Sequence, residues 1–306
     1  MISRREVLIG MAAAPLAAAP APLKVCVFSK HFQWTTIQET AGIAAKLGFD
    51  GVDLTVRKGG HVLPERVAED LPKALETIRK EGSQLTMITA DILDPATPHA
   101  EEIVKTMKSI GLQHYRWGGF KLVDNKPIPA QLEVCKQKSK ALADLNKQYG
   151  VCAMYHTHSG FNQIGASIWD LWYFLKDLDT KYVGVNYDIG HATVEGGYGG
   201  WINSANLTAP MMRGVALKDF KWGKNAKGAW IPEWCAAGQG MVNYPKFFSM
   251  LKTNGFQGPL QMHYEYPELG EAHAGKANLD IPKEKFIAIL KRDLDYVRAG
   301  MKTAGL

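Results

Sequence analysis

The chain has 306 residues, 46% hydrophobic and 22% charged, with 36 lysines and arginines against 30 aspartates and glutamates. This is long and apolar enough for a substantial core. The mild basic excess is spread along the sequence with no basic stripe interleaved with aromatics, which excludes a dedicated nucleic-acid surface, and no apolar run past the N-terminal one predicts a stable membrane anchor.

Residues 1–21, beginning MISRREVLIGMAAAPLAAAP, place two arginines ahead of a short apolar segment and an Ala/Pro stretch. That order reads as a secretion signal, and Arg4-Arg5 after Ser3 has the look of the twin-arginine (Tat) type. Residues 1–21 are therefore set apart from a single domain at 22–306, expected to be periplasmic or secreted. Export favours an uncharged or weakly charged substrate, because phosphorylated metabolites are mostly confined to the cytoplasm. Cys26, Cys135, Cys152 and Cys235 are widely spaced with no CxxC pair, so they read as packing residues rather than a disulfide framework or zinc knuckle.

In chain order, eight short β-rich runs stand out: KVCVFS (24–29), GVDLTV (51–56), QLTMITA (84–90), QHYRWG (113–118), VCAMYH (151–156), YVGVNYD (182–188), GVALKD (214–219) and PLQMHYEY (259–266). Amphipathic segments such as VAEDLPKALETIRKEG and YPKFFSMLKTNG separate them, most ending at a glycine just before the next strand. Repeated strand, helix and glycine indicate parallel βαβ units, and eight of them predict a (β/α)8 TIM barrel. The rival, an open doubly wound sheet, lacks its usual sign: the first strand runs into SKHFQW, not a Gly-rich phosphate loop. GGYGG at 196–200 reads as a flexible loop, and the Trp-rich 221–234 stretch as a lid or subunit contact.

In such a barrel the chemistry collects at the C-terminal ends of the strands. There the sequence places Lys30 and His31, Arg57 and His61, Asp91, Arg116 and Trp117, His156 and His158, Asp188 and His191, Lys218 and Asp219, and His263 and Glu265. Residues two apart share a strand face, so His156 pairs with His158, Asn186 with Asp188, Ala216 with Lys218 and His263 with Glu265. These face the axis if Val151, Ala153, Tyr155, Val185 and Tyr187 pack outward on the helices. His156, Asp188 and His263 then form a two-imidazole, one-carboxylate set that suits divalent Mn, Fe, Co or Zn better than Mg or Ca, with Glu265 a fourth candidate. The metal-free alternative is a hydrogen-bonded polar network doing acid/base work alone.

LGFDGVDL, RKGGHVLPE, YHTHSG, YDIGHA, ALKDF and GQGMVNYPKFFSMLKTNGFQGPLQMHYEY together make the domain resemble the xylose isomerase-like TIM barrels, the sugar phosphate isomerase/epimerase superfamily that also includes endonuclease IV. The resemblance implies that Asp188 is a metal ligand and that His191 lines the substrate site. Family members supply Glu, Asp, His and Glu from strands five to eight. Here the first position reads His156, the third Ala216, and the last strand offers His263 and Glu265. The expected activity is proton transfer next to a carbonyl of a sugar or keto-sugar through an enediolate. Glu265 or His158 would be the base, and Lys218 and Arg116 would hold charge on oxygen. Arg57, His61 and Trp117 would orient hydroxyls or stack on a sugar face. A lyase or hydratase acting on a keto-glycoside and a catalytically inactive carbohydrate-binding barrel stay open. A repair role like that of endonuclease IV fits poorly with an export signal.

Overall fold

In the computed structural model, which describes residues 22–306, eight parallel strands close into a barrel; the expected signal at 1–21 lies outside the described residues. The barrel strands are β1 (Val25–Phe28), β2 (Gly51–Val56), β3 (Leu85–Ala90), β4 (His114–Trp117), β5 (Cys152–His156), β6 (Val183–Asp188), β7 (Met212–Leu217) and β10 (Leu260–Met262), each overlapping an expected run, with β7 starting two residues earlier and ending before Lys218. β8 (Asp219–Lys224) and β9 (Trp230–Cys235) form a separate antiparallel hairpin. Most barrel positions are fully buried on both faces, as parallel strands under helices require.

The helices α1 (Ile37–Leu47), α2 (Val67–Lys80), α3 (Ala100–Ser109), α4 (Ile128–Tyr149), α5 (Trp169–Leu175), α6 (Ile189–Gly196), α7 (Gly200–Thr208), α8 (Tyr244–Thr253) and α9 (Lys283–Ala304) occupy the connections and the C-terminus. Their ends follow local chemistry. Thr36 caps α1 by accepting from the Glu39 N–H, and Gly48 closes it in the left-handed region at φ 90°. GGYGG joins α6 to α7.

Alternation divides the barrel wall. Outward residues build the main core: the Tyr155 hydroxyl accepts from the Phe120 N–H and donates to the Ile164 carbonyl, and Tyr187 stacks on Phe247. Inward residues form layers. The lower one is a small cluster of Cys26, Met87, Cys152 and Met154, and above it Asn186 donates to Gln261 at 2.9 Å. All four cysteines are free thiols, and three are buried. No helix among the described residues is long and apolar enough to cross a membrane.

One ion carries the C-terminal loops. The Asp219 carboxylate accepts from the N–H groups of Phe220, Gly238, Gly240 and Val242 at 2.8–3.1 Å. A side chain at Gly240 would place its Cβ 2.3 Å from Asp219 Oδ1. The Asp of ALKD and the glycine-rich GQG are thus one device, a carboxylate wrapped by backbone donors.

Candidate active site

The spacing in YDIGHA is a helix cap. Asp188 ends β6 and is the N-cap of α6, its Oδ1 accepting from the His191 N–H at 3.0 Å. The second oxygen, Oδ2, points into the barrel mouth and accepts no hydrogen bond. Gly190 between them is required by close approach, since a Cβ there would meet Lys218 Cγ at 2.8 Å.

His156 from β5 and His263 after β10 meet this oxygen. One donor atom from each of His156, Asp188 and His263 lies within 4.8 Å of the others, and all three side chains are buried. His156 Nε2 is 3.7 Å from Asp188 Oδ2. His156 Nδ1 and both ring nitrogens of His263 have no hydrogen-bond partner. Burial, reinforced by Arg116, pushes His156 well below the ordinary histidine range; burial also lowers His263, against the opposing pull of Glu265. Both rings are therefore neutral with lone pairs available, the form in which imidazole binds metal. Burial raises Asp188 to about 6, opposed by Lys218. Orphaned buried donors of this kind are rare and need a partner; a divalent cation would satisfy all three residues at once.

Lys218 occupies the other side of the mouth. Its buried ammonium donates to Glu265 Oε2 at 2.7 Å and to His191 Nε2 at 2.7 Å, and lies 3.4 Å from Asp188 Oδ2. Accepting at Nε2 fixes the His191 tautomer, so Nδ1–H donates to Ser159 Oγ at 2.7 Å. Glu265 also takes a 2.6 Å bond from Lys30. Burial alone would raise the Glu265 pKa, but the Lys218 and Lys30 ammoniums hold it well below the usual carboxylate range. Glu265 is thus a permanently ionised bridge between two lysines. His158 stands against His156 with ring centroids 4.5 Å apart, and burial and the neighbouring Arg116 lower it to about 3. It is half-buried, neutral and open to the mouth.

Of the expected substrate-binding residues, the structure gathers Arg57, Arg116 and His191 at the mouth and uses the other two elsewhere. Trp117 follows the inward Arg116 on β4, so alternation turns it outward into the core, where its indole donates to the Leu93 carbonyl. His61 accepts from Gln33 at Nδ1 and donates to the Phe32 carbonyl from Nε2, which anchors the β2–α2 loop. His31, at the same rim, is likewise structural: it accepts from the Tyr264 N–H and bonds the Ala272 carbonyl.

The sequence reading did not single out Asp53, Thr89, Phe28, Ser159 or Trp234. Asp53 is fully buried, bonded to the Thr89 hydroxyl at 3.0 Å, and pushed up to about 7 by burial against the opposing pull of Arg116 and Arg57. A lone acid inside GVDLTV, at an inward position, was the available signal. Phe28 stacks on His263 at 4.8 Å. Trp234 comes from the hairpin, its ring 4.1 Å from Lys218 Nζ and edge-on to His191 at 4.8 Å; the Trp-rich 221–234 stretch, read as a lid or subunit contact, held it without marking which tryptophan reaches the mouth.

The profile of the xylose isomerase-like TIM barrel family matches residues 41–297. The chain belongs to this family. Solved structures of similar fold include a xylose isomerase-like TIM barrel protein from Mycobacterium smegmatis in complex with magnesium, at 14% identity and TM-score 0.66, covering 92% of this chain and 97% of that one. D-psicose 3-epimerase from Clostridium cellulolyticum, with D-tagatose, aligns at 13% identity and TM-score 0.67 over 91% of this chain and 99% of that one. A probable 3-DHS dehydratase from Bacillus anthracis aligns at 14% identity and TM-score 0.65 over 90% and 99%. No curated protein matches the sequence at a significant level.

Proposed function

We propose that this protein is an exported sugar isomerase or epimerase that moves a proton at the carbon next to a carbonyl of a sugar or keto-sugar. The observation that carries the reading is the convergent set: His156, Asp188 and His263 each bring one donor atom within 4.8 Å of the others, both ring nitrogens of His263 have no hydrogen-bond partner, and Asp188 Oδ2 accepts no hydrogen bond, with the Lys218 ammonium 3.4 Å away. These three residues would hold a divalent cation, and imidazole donors favour Mn, Fe, Co or Zn. When bound, such an ion supplies Lewis-acid polarisation of a substrate oxygen.

The surrounding side chains supply the rest. His158 faces the mouth unprotonated, and that position makes it the base that removes the proton from carbon, with burial and Arg116 working against its basicity. Glu265, expected as an alternative base, is committed to Lys30 and Lys218 and instead orients them. Lys218 directs its ammonium into the mouth, where it stabilises negative charge developing on oxygen and returns a proton to the product. His191, fixed by Ser159 and the helix cap, holds Lys218 in place. Trp234 closes the mouth with an apolar face fit for stacking on the C–H surface of a sugar ring.

A dehydratase or lyase is the second reading. The Lys218 ammonium beside the base also suits it to protonate a departing oxygen after the same proton abstraction. Incubation of keto-sugars in D2O separates the two by NMR: deuterium at the carbon next to the carbonyl with the carbon skeleton intact marks isomerisation or epimerisation, and loss of water or an alcohol marks elimination. Elemental analysis of the wild type and of His156→Ala and Asp188→Ala tests the metal site. Near-stoichiometric Mn, Fe, Co or Zn that disappears in both variants is the expected result; a wild type that takes up none after incubation with each cation overturns the metal assignment.

A further inference from the structure

Two arginines at the mouth have no adequate partner. Arg116, on the inward face of β4, makes no hydrogen bond and no ion pair among the described residues, although it is half-buried. Arg57, just beyond β2, has among the described residues one acid within ion-pair distance, Asp91 at the outer limit, 4.0 Å, and that carboxylate is two-thirds exposed; the buried Asp53 acts on it only from farther away. Both guanidiniums lie over the ring of Phe28, at 5.5 Å for Arg116 and 5.8 Å for Arg57. Phe28 in turn stacks on His263, so the two forks stand at the edge of the proposed reaction centre.

The acids nearby do not neutralise them. Glu265 is shared between Lys30 and Lys218, Asp188 Oδ1 caps α6 and its Oδ2 faces Lys218 and His156, and Asp53 is bonded to Thr89 with no arginine in ion-pair distance. Two like charges brought together in a half-buried site repel, and each guanidinium carries five donors that demand acceptors. A planar, anionic acceptor satisfies both requirements, and a carboxylate matches the guanidinium fork. Hydroxyl groups would fill donors but leave the charge uncompensated.

We infer that Arg116 and Arg57 form an anion subsite that takes the carboxylate of an acidic sugar, so that the substrate is a sugar acid rather than a neutral sugar. This rests on the carbohydrate reading of the site and specifies its substrate class. The carboxylate would lie over Phe28, with the carbon chain reaching toward His158 and Lys218.

Calorimetry with D-glucuronate, D-glucose and D-glucose 6-phosphate on the metal-loaded protein tests it, together with Arg116→Gln, Arg57→Gln and Arg116→Lys. The expected result is glucuronate binding at least tenfold more tightly than glucose. Arg116→Gln should erase that preference, Arg57→Gln should reduce it, and Arg116→Lys should retain part of it. Because Arg116 has no hydrogen bond or ion pair to lose among the described residues and stands beside the like charge of Arg57, Arg116→Gln should also melt no lower than wild type. Equal binding of glucuronate and glucose, or a preference that survives Arg116→Gln, overturns the subsite. Preference for the phosphate over the uronate overturns the carboxylate. If none of the three sugars binds but acetate raises the melting temperature in an Arg116-dependent way, the anion subsite stands and the carbohydrate reading falls.

Discussion

The lower and upper halves of the barrel interior come from the same eight strands and the same alternation, yet they are built on opposite chemistry. Below, Cys26, Met87, Cys152 and Met154 pack as an apolar plug. Above, Asp53, Arg116, His156, Asp188, Lys218 and His263 crowd ionisable groups into a space that solvent barely reaches, several of them without partners. The lower half gains stability from burial; the upper half gives some of it up to hold unsatisfied donors and acceptors ready for a ligand. The two rim histidines show the same contrast at one strand pair: His31 uses both nitrogens within the protein, and His263 uses neither.

Substitutions sharpen that contrast. The largest effect is expected for Lys218→Met, which keeps the chain length and removes the ammonium between Asp188, Glu265 and His191. Turnover should fall by about 10²–10³-fold, the usual loss for one preorganised charge donor, with the change in kcat rather than KM.

Next comes pH. Burial raises the Asp53 carboxyl to about 7, so between roughly pH 4 and 7 the folded protein holds a proton that the unfolded chain releases. The contribution from this group is therefore complete below the unfolded pKa and is lost as pH rises through about 7. Urea unfolding of wild type and Asp53→Asn at pH 5 and pH 7.5 should show the wild type losing, relative to the variant, on the order of 2–4 kcal/mol as pH rises, the buried neutral histidines being common to both. Asp188 contributes with the same sign but is present in both proteins, so their difference isolates Asp53. Identical pH profiles would show that Asp53 is ionised throughout.

The histidine pair gives a smaller difference of opposite sign. His31→Phe strands the Tyr264 N–H and the Ala272 carbonyl and should cost about 2–3 kcal/mol in denaturant midpoints. His263→Phe removes two orphaned nitrogens and should leave the metal-free protein unchanged or more stable by about 1 kcal/mol. It should also abolish any rise in melting temperature on adding Mn, Co or Zn. The smallest effect belongs to the lower plug, where Met154→Leu should cost less than about 1.5 kcal/mol and leave turnover unchanged.

Much of this was legible along the chain. Strand runs with glycines after their helices fixed the order of the barrel, and alternation placed His156, Asp188 and His263 on the inner wall. The sequence reading placed Trp117 at the substrate beside Arg116, a pairing that alternation, applied to that strand, forbids, because neighbours on a strand face opposite sides. The β8–β9 hairpin was not legible: KWGK and WIPEW carry glycine, proline and charge in place of a strand pattern, and they pair through register with each other over the barrel end.

What the sequence alone determined is the repeating unit and which residue types arrive at one rim, since period and punctuation are local properties of the chain. The tertiary structure decided which of those residues are satisfied. His31 and His61 find backbone carbonyls supplied by residues Ala272 and Phe32, Glu265 finds two lysines, and Asp219 finds four N–H groups, while His156 Nδ1 and both nitrogens of His263 find none, and Arg116 finds no hydrogen bond or ion pair among the described residues. Satisfaction of a buried polar group depends on partners brought from distant strands and loops, and barrel closure alone determines who those partners are.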